Sequence, residues 1–159
     1  HAKDYVRMMW MILQAEEAED WVIATGTTTS VRDFVRMSFE QVGIELEFKG
    51  EGVHEKGFVK GIDEEKYQAA LSENGQRKTS NEERPEIGQE VLAVDPKYFR
   101  PTEVDLLIGD PSKAKQKLGW ECKYDLQDLV KDMMKSDLKL MKKDQFLKDN
   151  GYATLNYFE

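Results

Sequence analysis

The sequence has little of what disulfide-stabilised or metal-binding proteins need. Its 159 residues include one cysteine, Cys122, and two histidines, His1 and His54. A single cysteine excludes an intramolecular disulfide, and two histidines far apart in sequence do not form a zinc motif. Because cysteine-poor sequences are typical of reducing compartments, we expect a cytoplasmic protein.

Long apolar runs are also absent. The richest segment runs from Val6 to Leu13, is interrupted by Arg7, and is far shorter than the ~20 residues that a membrane-spanning helix needs. The first residues, His1 to Asp4, lack the basic and then apolar pattern of a signal peptide. We therefore predict neither a membrane span nor a signal peptide. Since residue 1 is not methionine, we also expect the chain to be part of a longer protein.

Positive charge is in the minority. The chain carries 23 lysines and arginines against 31 aspartates and glutamates, giving a formal net charge of −8 and a pI of about 4.9. Nucleic acids and acidic membrane surfaces repel such a protein, so we exclude both as main partners. The net charge does not exclude a phosphate ligand, because a few well-placed arginines decide phosphate binding locally.

Helix start and stop signals divide much of the chain. Ser30 is a typical N-cap, and Gly43 is a typical residue just beyond a helix end. Asp110-Pro111 and Asp125 are further start signals. The predicted helices cover 2–15, 31–42, 64–71, 111–118 and a long segment after Asp125.

The first predicted helix carries most of its apolar residues at spacings of three and four. Such spacing places them on one wide face, which we expect to pack on a core. The residues concerned are Tyr5, Val6, Met9, Trp10, Ile12 and Leu13.

Strand signals are few and short. The segments 21–25 and 91–94 are apolar runs typical of buried strands, whereas 44–48 alternates as a strand with one wet face does. Between them, 50–90 is rich in charge and glycine and has no sustained period, which indicates an exposed excursion. Three short strands predict a small mixed α/β lobe that leans on another domain. We place its limits at 1–152, with a tail at 153–159.

The densest chemical signal surrounds Arg100. Pro101 restricts the residue before it to an extended conformation, and Glu103 places a carboxylate three residues further on. This spacing can set a guanidinium against phosphate oxygens while the carboxylate accepts hydrogen bonds from ribose hydroxyls. An ion pair between the two side chains on a loop explains the same spacing, so the residues alone leave both interpretations open.

Four blocks in order resemble the GDP-mannose 4,6-dehydratases, which are extended short-chain dehydrogenase/reductases. The resemblance covers 1–49 and 91–152 and is looser over 50–90. The blocks are His1-Ala2-Lys3-Asp4-Tyr5-Val6, Ile23-Ala24-Thr25-Gly26 with Ser30-Val31-Arg32-Asp33-Phe34-Val35, Tyr98-Phe99-Arg100-Pro101-Thr102-Glu103-Val104, and Gly109-Asp110-Pro111-Ser112-Lys113-Ala114 with Leu118-Gly119-Trp120.

The resemblance implies a two-domain parent enzyme. In that family an N-terminal Rossmann domain binds NADP and a smaller C-terminal lobe binds GDP-mannose. The family oxidises C4 of the mannose, eliminates water across C5 and C6, and returns the hydride to C6. The product is GDP-4-dehydro-6-deoxy-mannose, a precursor of GDP-fucose. We therefore expect this chain to be the substrate-binding lobe without its Rossmann domain, taken from a hydro-lyase that forms homo-oligomers.

The resemblance also implies roles for individual residues. By position Arg100 holds the diphosphate and Glu103 the ribose, and Tyr98 is a further substrate-binding candidate from the same block. Arg32 lies at the start of a predicted helix, where free amides favour anions, so it is a second candidate for phosphate. An exposed helix arginine without a ligand explains Arg32 equally well.

The redox half of the family pattern is missing. The sequence has no Gly-x-x-Gly-x-x-Gly turn for the cofactor pyrophosphate and no Tyr-x-x-x-Lys pair for proton abstraction, and the threonine and glutamate that assist elimination belong to the same missing half. We expect no catalytic residue, cofactor site or metal site in this chain, and therefore no turnover. Two alternatives remain: a stand-alone module for GDP-sugar binding or subunit interaction, and a remnant without a function of its own.

Overall fold

The computed structural model describes residues 1–72, 84–100 and 107–154. Five helices and three strands lie within these ranges. The helices are α1 (Ala2–Leu13), α2 (Val31–Gln41), α3 (Glu64–Leu71), α4 (Ser112–Leu118) and α5 (Leu126–Asp149). The strands are β1 (Ile44–Lys49), β2 (Lys56–Ile62) and β3 (Glu90–Ala93), with a short 3₁₀ helix at Gly52–His54. The prediction of a small mixed α/β fold is confirmed, whereas the limits 1–152 and 153–159 stay a prediction.

The three strands form one antiparallel sheet in the order β1-β2-β3. Leu46 faces Val59 across β1 and β2, and both side chains are buried. Apolar residues of α2, among them Val35 and Phe39, pack against this side of the sheet. The other side carries charged residues such as Glu45. The alternation predicted for 44–48 is thus confirmed as a strand with one wet face.

The interpretation of 50–90 as an exposed excursion was wrong for its first part. Residues 56–62 form β2, the central strand, and Val59 on it is almost fully buried. The segment reads Lys-Gly-Phe-Val-Lys-Gly-Ile, and its two glycines and two lysines conceal the strand period. Gly57 lies in a tight position, because a Cβ would lie 3.2 Å from the Leu92 side chain on β3. The helix predicted at 64–71 is confirmed as α3, and 73–83 lies outside the described residues.

The strand predicted at 21–25 is not present. These residues have no regular secondary structure and form no part of the described sheet, and Val22 is half exposed. The segment lies beside residues 107–110, since a Cβ built on Gly109 would come within 2.7 Å of the Ala24 Cβ. The sequence pattern was that of a strand, but a strand needs a pairing partner, and the described residues provide none here.

The core has two parts. One is built around the sheet and α2, with Ile44, Leu46 and Val59 at its centre. The other joins α1 to α4 and the loop that follows, with Met8, Ala114 and Trp120 fully or almost fully buried.

The apolar face predicted for α1 is not the face that α1 buries. Met8 and Asp4 are buried and Ile12 is half-buried, whereas the outer face remains exposed. The helix is therefore apolar on two sides, and the prediction that this whole set packs on a core was wrong for five of its six members. The exposed residues are Tyr5, Val6, Met9, Trp10 and Leu13.

The cap signals at Ser30, Gly43 and Asp125 are confirmed, whereas the start predicted at Asp110-Pro111 is one residue too early, because α4 begins at Ser112 with Pro111 as its N-cap. The Ser30 hydroxyl accepts from the Asp33 amide at 3.0 Å, and Gly43 follows α2 with a φ of +75°. At α5, Asp125 and Asp128 exchange side-chain and backbone hydrogen bonds in a capping box. None of the helices within the described ranges combines the length and apolarity needed to cross a bilayer.

Replacing Gly43 with alanine is expected to destabilise the fold by about 2–3 kcal/mol, because strain and crowding add at this position. The left-handed φ is unfavourable for alanine, and its Cβ would lie 2.7 Å from the Asp63 carbonyl oxygen. The Asp63 carbonyl also begins α3, so it cannot move without displacing that helix. Urea unfolding monitored by circular dichroism measures the loss.

Gly119→Ala is the matched control for Gly43→Ala. Gly119 also has a left-handed φ, at +63°, but a Cβ there meets nothing within 4 Å. We expect a loss of only about 1 kcal/mol, which isolates the conformational cost. Equal losses for the two variants would contradict the crowding at Gly43.

Candidate functional site

The block that contains Tyr98 and Arg100 begins with a tight turn after β3. The Asp95 carboxylate accepts from the Lys97 amide at 2.8 Å, and the Asp95 carbonyl oxygen accepts from the amides of Tyr98 and Phe99. Tyr98 is largely exposed, and the Lys97 ammonium lies 5.3 Å from the centre of its ring. Hydrogen bonds within the turn therefore hold its backbone in place, whereas its side chains are exposed.

This turn is attached to one edge of the sheet, by which we mean the end at which β2 begins and β1 and β3 finish. The Val94 amide donates to the Glu55 carbonyl oxygen at 3.3 Å, just after the 3₁₀ helix. The Phe99 ring lies over Gly52, where an added Cβ would be 3.6 Å from it. Residues 94–99 therefore follow the segment 52–55 closely, and Arg100 leaves from that edge.

Arg32 reaches the same edge from the first turn of α2. Its guanidinium donates to both carboxylate oxygens of Glu55, at 2.5 Å from Nε and 2.8 Å from Nη2, and lies 5.8 Å from the centre of the Phe48 ring. These hydrogen bonds lower the pKa of Glu55 and raise the pKa of Arg32. A bidentate arginine–carboxylate pair is a strong, oriented contact. Phosphate binding by Arg32 stays a prediction.

The predicted Arg100 and Glu103 pair is only partly within the described residues. Arg100 is exposed at the end of the turn, and Pro101 and Glu103 lie outside the described residues. The structure brings Arg32, Tyr98 and Arg100 to one edge of the sheet through Glu55 and the 3₁₀ helix. We call this region the arginine edge, and the binding of a diphosphate by Arg100 stays a prediction.

Two concave surfaces elsewhere suit a diphosphate poorly. One, of about 420 Å³, is lined by Glu40, Glu45 and Asp63 against a single lysine. The other, of about 520 Å³, lies between the threonine loop 25–29 and the start of α5, where Asp125 and Asp128 line it. The same two aspartates accept hydrogen bonds from backbone amides at the start of α5, so this helix end is unfavourable for an anion. Neither surface is lined by Arg32 or Arg100.

No group of metal-ligating side chains occurs within 1–72, 84–100 and 107–154. Cys122 is exposed as a residue, yet burial of its thiol, together with the Asp4 charge, raises the pKa of that thiol. A raised pKa reduces the thiolate fraction, which is unfavourable for nucleophilic chemistry.

The sequence did not predict the long-range contacts of two carboxylates, Glu55 and Asp4. Glu55 gives no local signal as the partner of Arg32, because 23 residues separate them. Asp4 is buried and accepts from the amides of Lys123 and Tyr124, all at 3.1 Å, so it joins α1 to the loop after α4. A carboxylate in the first turn of a helix normally indicates only a favourable dipole interaction.

Comparison with known proteins identifies the family. The family model described as GDP-mannose 4,6 dehydratase matches residues 1–133. The chain is 45% identical over 152 residues to a GDP-mannose 4,6-dehydratase of Vibrio cholerae, and the match covers 96% of the chain and 37% of that relative. It is 46% identical over 143 residues to a GDP-mannose 4,6 dehydratase of Drosophila melanogaster, with 90% and 30% covered.

The chain spans about a third of the length of the curated relatives that it matches. The matched residues correspond to the C-terminal part of those relatives. Because the family model covers most of the sequence, the resemblance found in the four blocks is confirmed. The chain belongs to the GDP-mannose 4,6-dehydratase family.

Proposed function

We propose that this chain supplies the sugar-nucleotide-binding part of a GDP-mannose 4,6-dehydratase. The whole enzyme converts GDP-mannose to GDP-4-dehydro-6-deoxy-mannose by loss of water, with NADP as bound hydride carrier, and acts as a homo-oligomer in the cytoplasm. One observation carries the binding role: the fold brings Arg32 and the turn that bears Arg100 to the same edge of the sheet.

The chemistry of this edge suits a diphosphate. Arginine binds phosphate oxygens in a planar, two-pronged geometry, and two guanidiniums match the two charges of a nucleoside diphosphate sugar. Arg100 grips the diphosphate, Glu103 accepts from the ribose hydroxyls, and the exposed Tyr98 ring offers a surface for the base or sugar. Arg32 joins them when its pairing with Glu55 is shared with a phosphate oxygen.

The described residues do not fit NADP. All the described strands are antiparallel, whereas a dinucleotide site needs a parallel strand that turns into a helix through closely spaced glycines. The resemblance to the family implies that the cofactor and the catalytic tyrosine, lysine, threonine and glutamate belong to the part of a dehydratase that this sequence does not contain. The chain on its own binds substrate without turning it over.

Arg100→Ala is expected to weaken binding of GDP-mannose roughly 10–100-fold, because it removes a charge-assisted contact to phosphate. Isothermal titration of the folded chain with GDP and with GDP-mannose measures the change. Arg36→Ala is the matched control: it removes the same charge from an exposed arginine on α2 that pairs with Asp33 at 2.8 Å. We expect that control to retain affinity within about twofold.

The outcomes separate the alternatives. Unchanged affinity in Arg100→Ala would refute the assignment of the diphosphate to this residue. Binding without loss of water is expected of both readings; if the organism that makes this chain encodes no other part of a dehydratase, such binding favours a stand-alone binding module. Absence of heat with a folded chain favours a remnant, or a site that needs the other part of the enzyme.

A further inference from the structure

Glu55 connects the two parts of the arginine edge that carry arginines. Its carboxylate pairs with Arg32 on α2, and its carbonyl oxygen accepts from the Val94 amide, which precedes the turn that leads to Arg100. The Glu55 side chain is only 16% exposed, whereas that of Arg32 is 56% exposed. The carboxylate therefore lies on the inner side of the pair, and the guanidinium lies on the outer side.

The pair orients the guanidinium of Arg32 without using all of its donors. A guanidinium has five N–H groups in one plane. Glu55 accepts from Nε and from one N–H of Nη2, which leaves the other N–H of Nη2 and both N–H groups of Nη1 outside the pair. Nη1 and Nη2 together form a second two-pronged face, and such a face matches two phosphate oxygens. The Phe48 ring adds a further contact to the same guanidinium.

We propose that Glu55 is a positioning residue for the diphosphate, which holds Arg32 from the side so that the Nη1–Nη2 face points to a phosphate group. This inference rests on the proposed function and adds to it a residue from 50–90, where the family resemblance is loose. An arginine that is already ordered loses less side-chain entropy when a phosphate binds. Glu55 itself does not touch the substrate.

The alternative is that Glu55 competes with phosphate for Arg32. A carboxylate near an anion site also repels the anion, so electrostatics alone predicts that removal of this carboxylate strengthens binding. Positioning predicts the opposite sign, because the free Arg32 side chain then has to be ordered by the phosphate. The direction in which the affinity changes therefore decides between the two.

Isothermal titration with GDP compares Glu55→Ala with the parent chain, and we expect the affinity to fall about fivefold. Glu55→Gln keeps the shape of the side chain and one acceptor, so its loss should be about twofold. Glu90→Ala is the matched control, because it removes a carboxylate that pairs with Lys56 at 2.7 Å at the same end of the sheet. This control should bind GDP at least as tightly as the parent. In an Arg32→Ala background, Glu55→Ala should change the affinity by less than about twofold.

A second measurement follows Arg32 without ligand. In a ¹⁵N-labelled chain, the Arg32 Nε–H resonance is assigned by its absence in Arg32→Lys. Its exchange with water is expected to be about tenfold slower than that of Arg36, because Glu55 accepts from it. The Arg36 Nε lies 4.0 Å from the nearest Glu40 oxygen, beyond hydrogen-bond distance. Glu55→Ala should raise the Arg32 rate to that of Arg36, and Glu90→Ala should leave it slow.

Three results would overturn the inference while leaving the proposed function intact. One is GDP affinity that is unchanged or higher in Glu55→Ala, which makes Glu55 a competitor of phosphate. Another is an Arg32 exchange rate that Glu55→Ala does not alter, and the third is an undiminished effect of Glu55→Ala in the Arg32→Ala background. A parent chain that binds no GDP contradicts the proposed function and the inference together. Should Glu55→Ala fail to fold, the sign of the change in Glu55→Gln decides.

Discussion

Trp120→Ala is expected to cost about 3–5 kcal/mol of unfolding free energy, the usual range for removal of a buried tryptophan. Trp120 is 1% exposed and packs in the cluster that contains Met8 and Ala114. Its indole Nε1 also donates to the Asp4 carbonyl oxygen at 3.3 Å. The substitution therefore leaves a large cavity and removes one link between α1 and the loop after α4.

Thermal unfolding followed by far-ultraviolet circular dichroism measures this effect, with an expected fall in the midpoint of about 10 °C. Trp10→Ala is the control, because the same side chain is removed from a position that is 62% exposed. We expect that control to stay within about 0.5 kcal/mol of the parent. A loss below about 1 kcal/mol in Trp120→Ala would show that the cluster does not hold α1 in place.

Asp4→Ala is the second substitution with a large expected effect, about 2–4 kcal/mol, because it leaves partly buried amides without an acceptor. The Asp4 carboxylate accepts from the amides of Lys123 and Tyr124 and from the Arg7 guanidinium. Arg7 also donates to the Glu121 carbonyl oxygen. Loss of the carboxylate thus removes the direct contacts of Asp4 with residues 123–124 and the ion pair that orients Arg7 toward Glu121.

Urea unfolding compares Asp4→Ala with Asp132→Ala. Asp132 is an exposed carboxylate on α5 that contacts His1 and Lys3, and such surface pairs contribute little. Asp4→Asn refines the measurement, since an amide oxygen can still accept from one backbone amide. The parent protein should be the most stable, Asp4→Asn intermediate and Asp4→Ala the least stable. A loss in Asp4→Ala equal to that in Asp132→Ala would contradict the link.

Local signals in the sequence predicted the helices well. The caps at Ser30 and Asp125 act within three residues of themselves, so neither depends on the rest of the fold. Gly43 was predicted as a stop, and the structure adds why only glycine fits: the start of α3 lies against it. Fold class followed from the same patterns.

Non-local pairing was where the sequence misled. The register of the central strand β2 shifts against both of its neighbours. Its glycines and lysines have the composition of a loop, so its strand character is evident only from the pairing with β1 and β3. Conversely, 21–25 has the composition of a strand without a partner in the described structure. The sequence predicted the individual residues of the arginine edge, but not that they lie close together. Their arrangement depends on the pairing of Arg32 with Glu55, and these two residues are too far apart in sequence for a local pattern to indicate the contact.

The link at Asp4 also has a consequence for synthesis on the ribosome. Its amide donors are 119 and 120 residues further along the chain, so α1 is made well before the residues that secure it. At the ~5–20 residues per second of translation, that interval lasts roughly 6–24 seconds. During it the nascent helix exposes apolar side chains on both sides, which makes this segment a natural client for chaperones that recognise unfolded, apolar stretches.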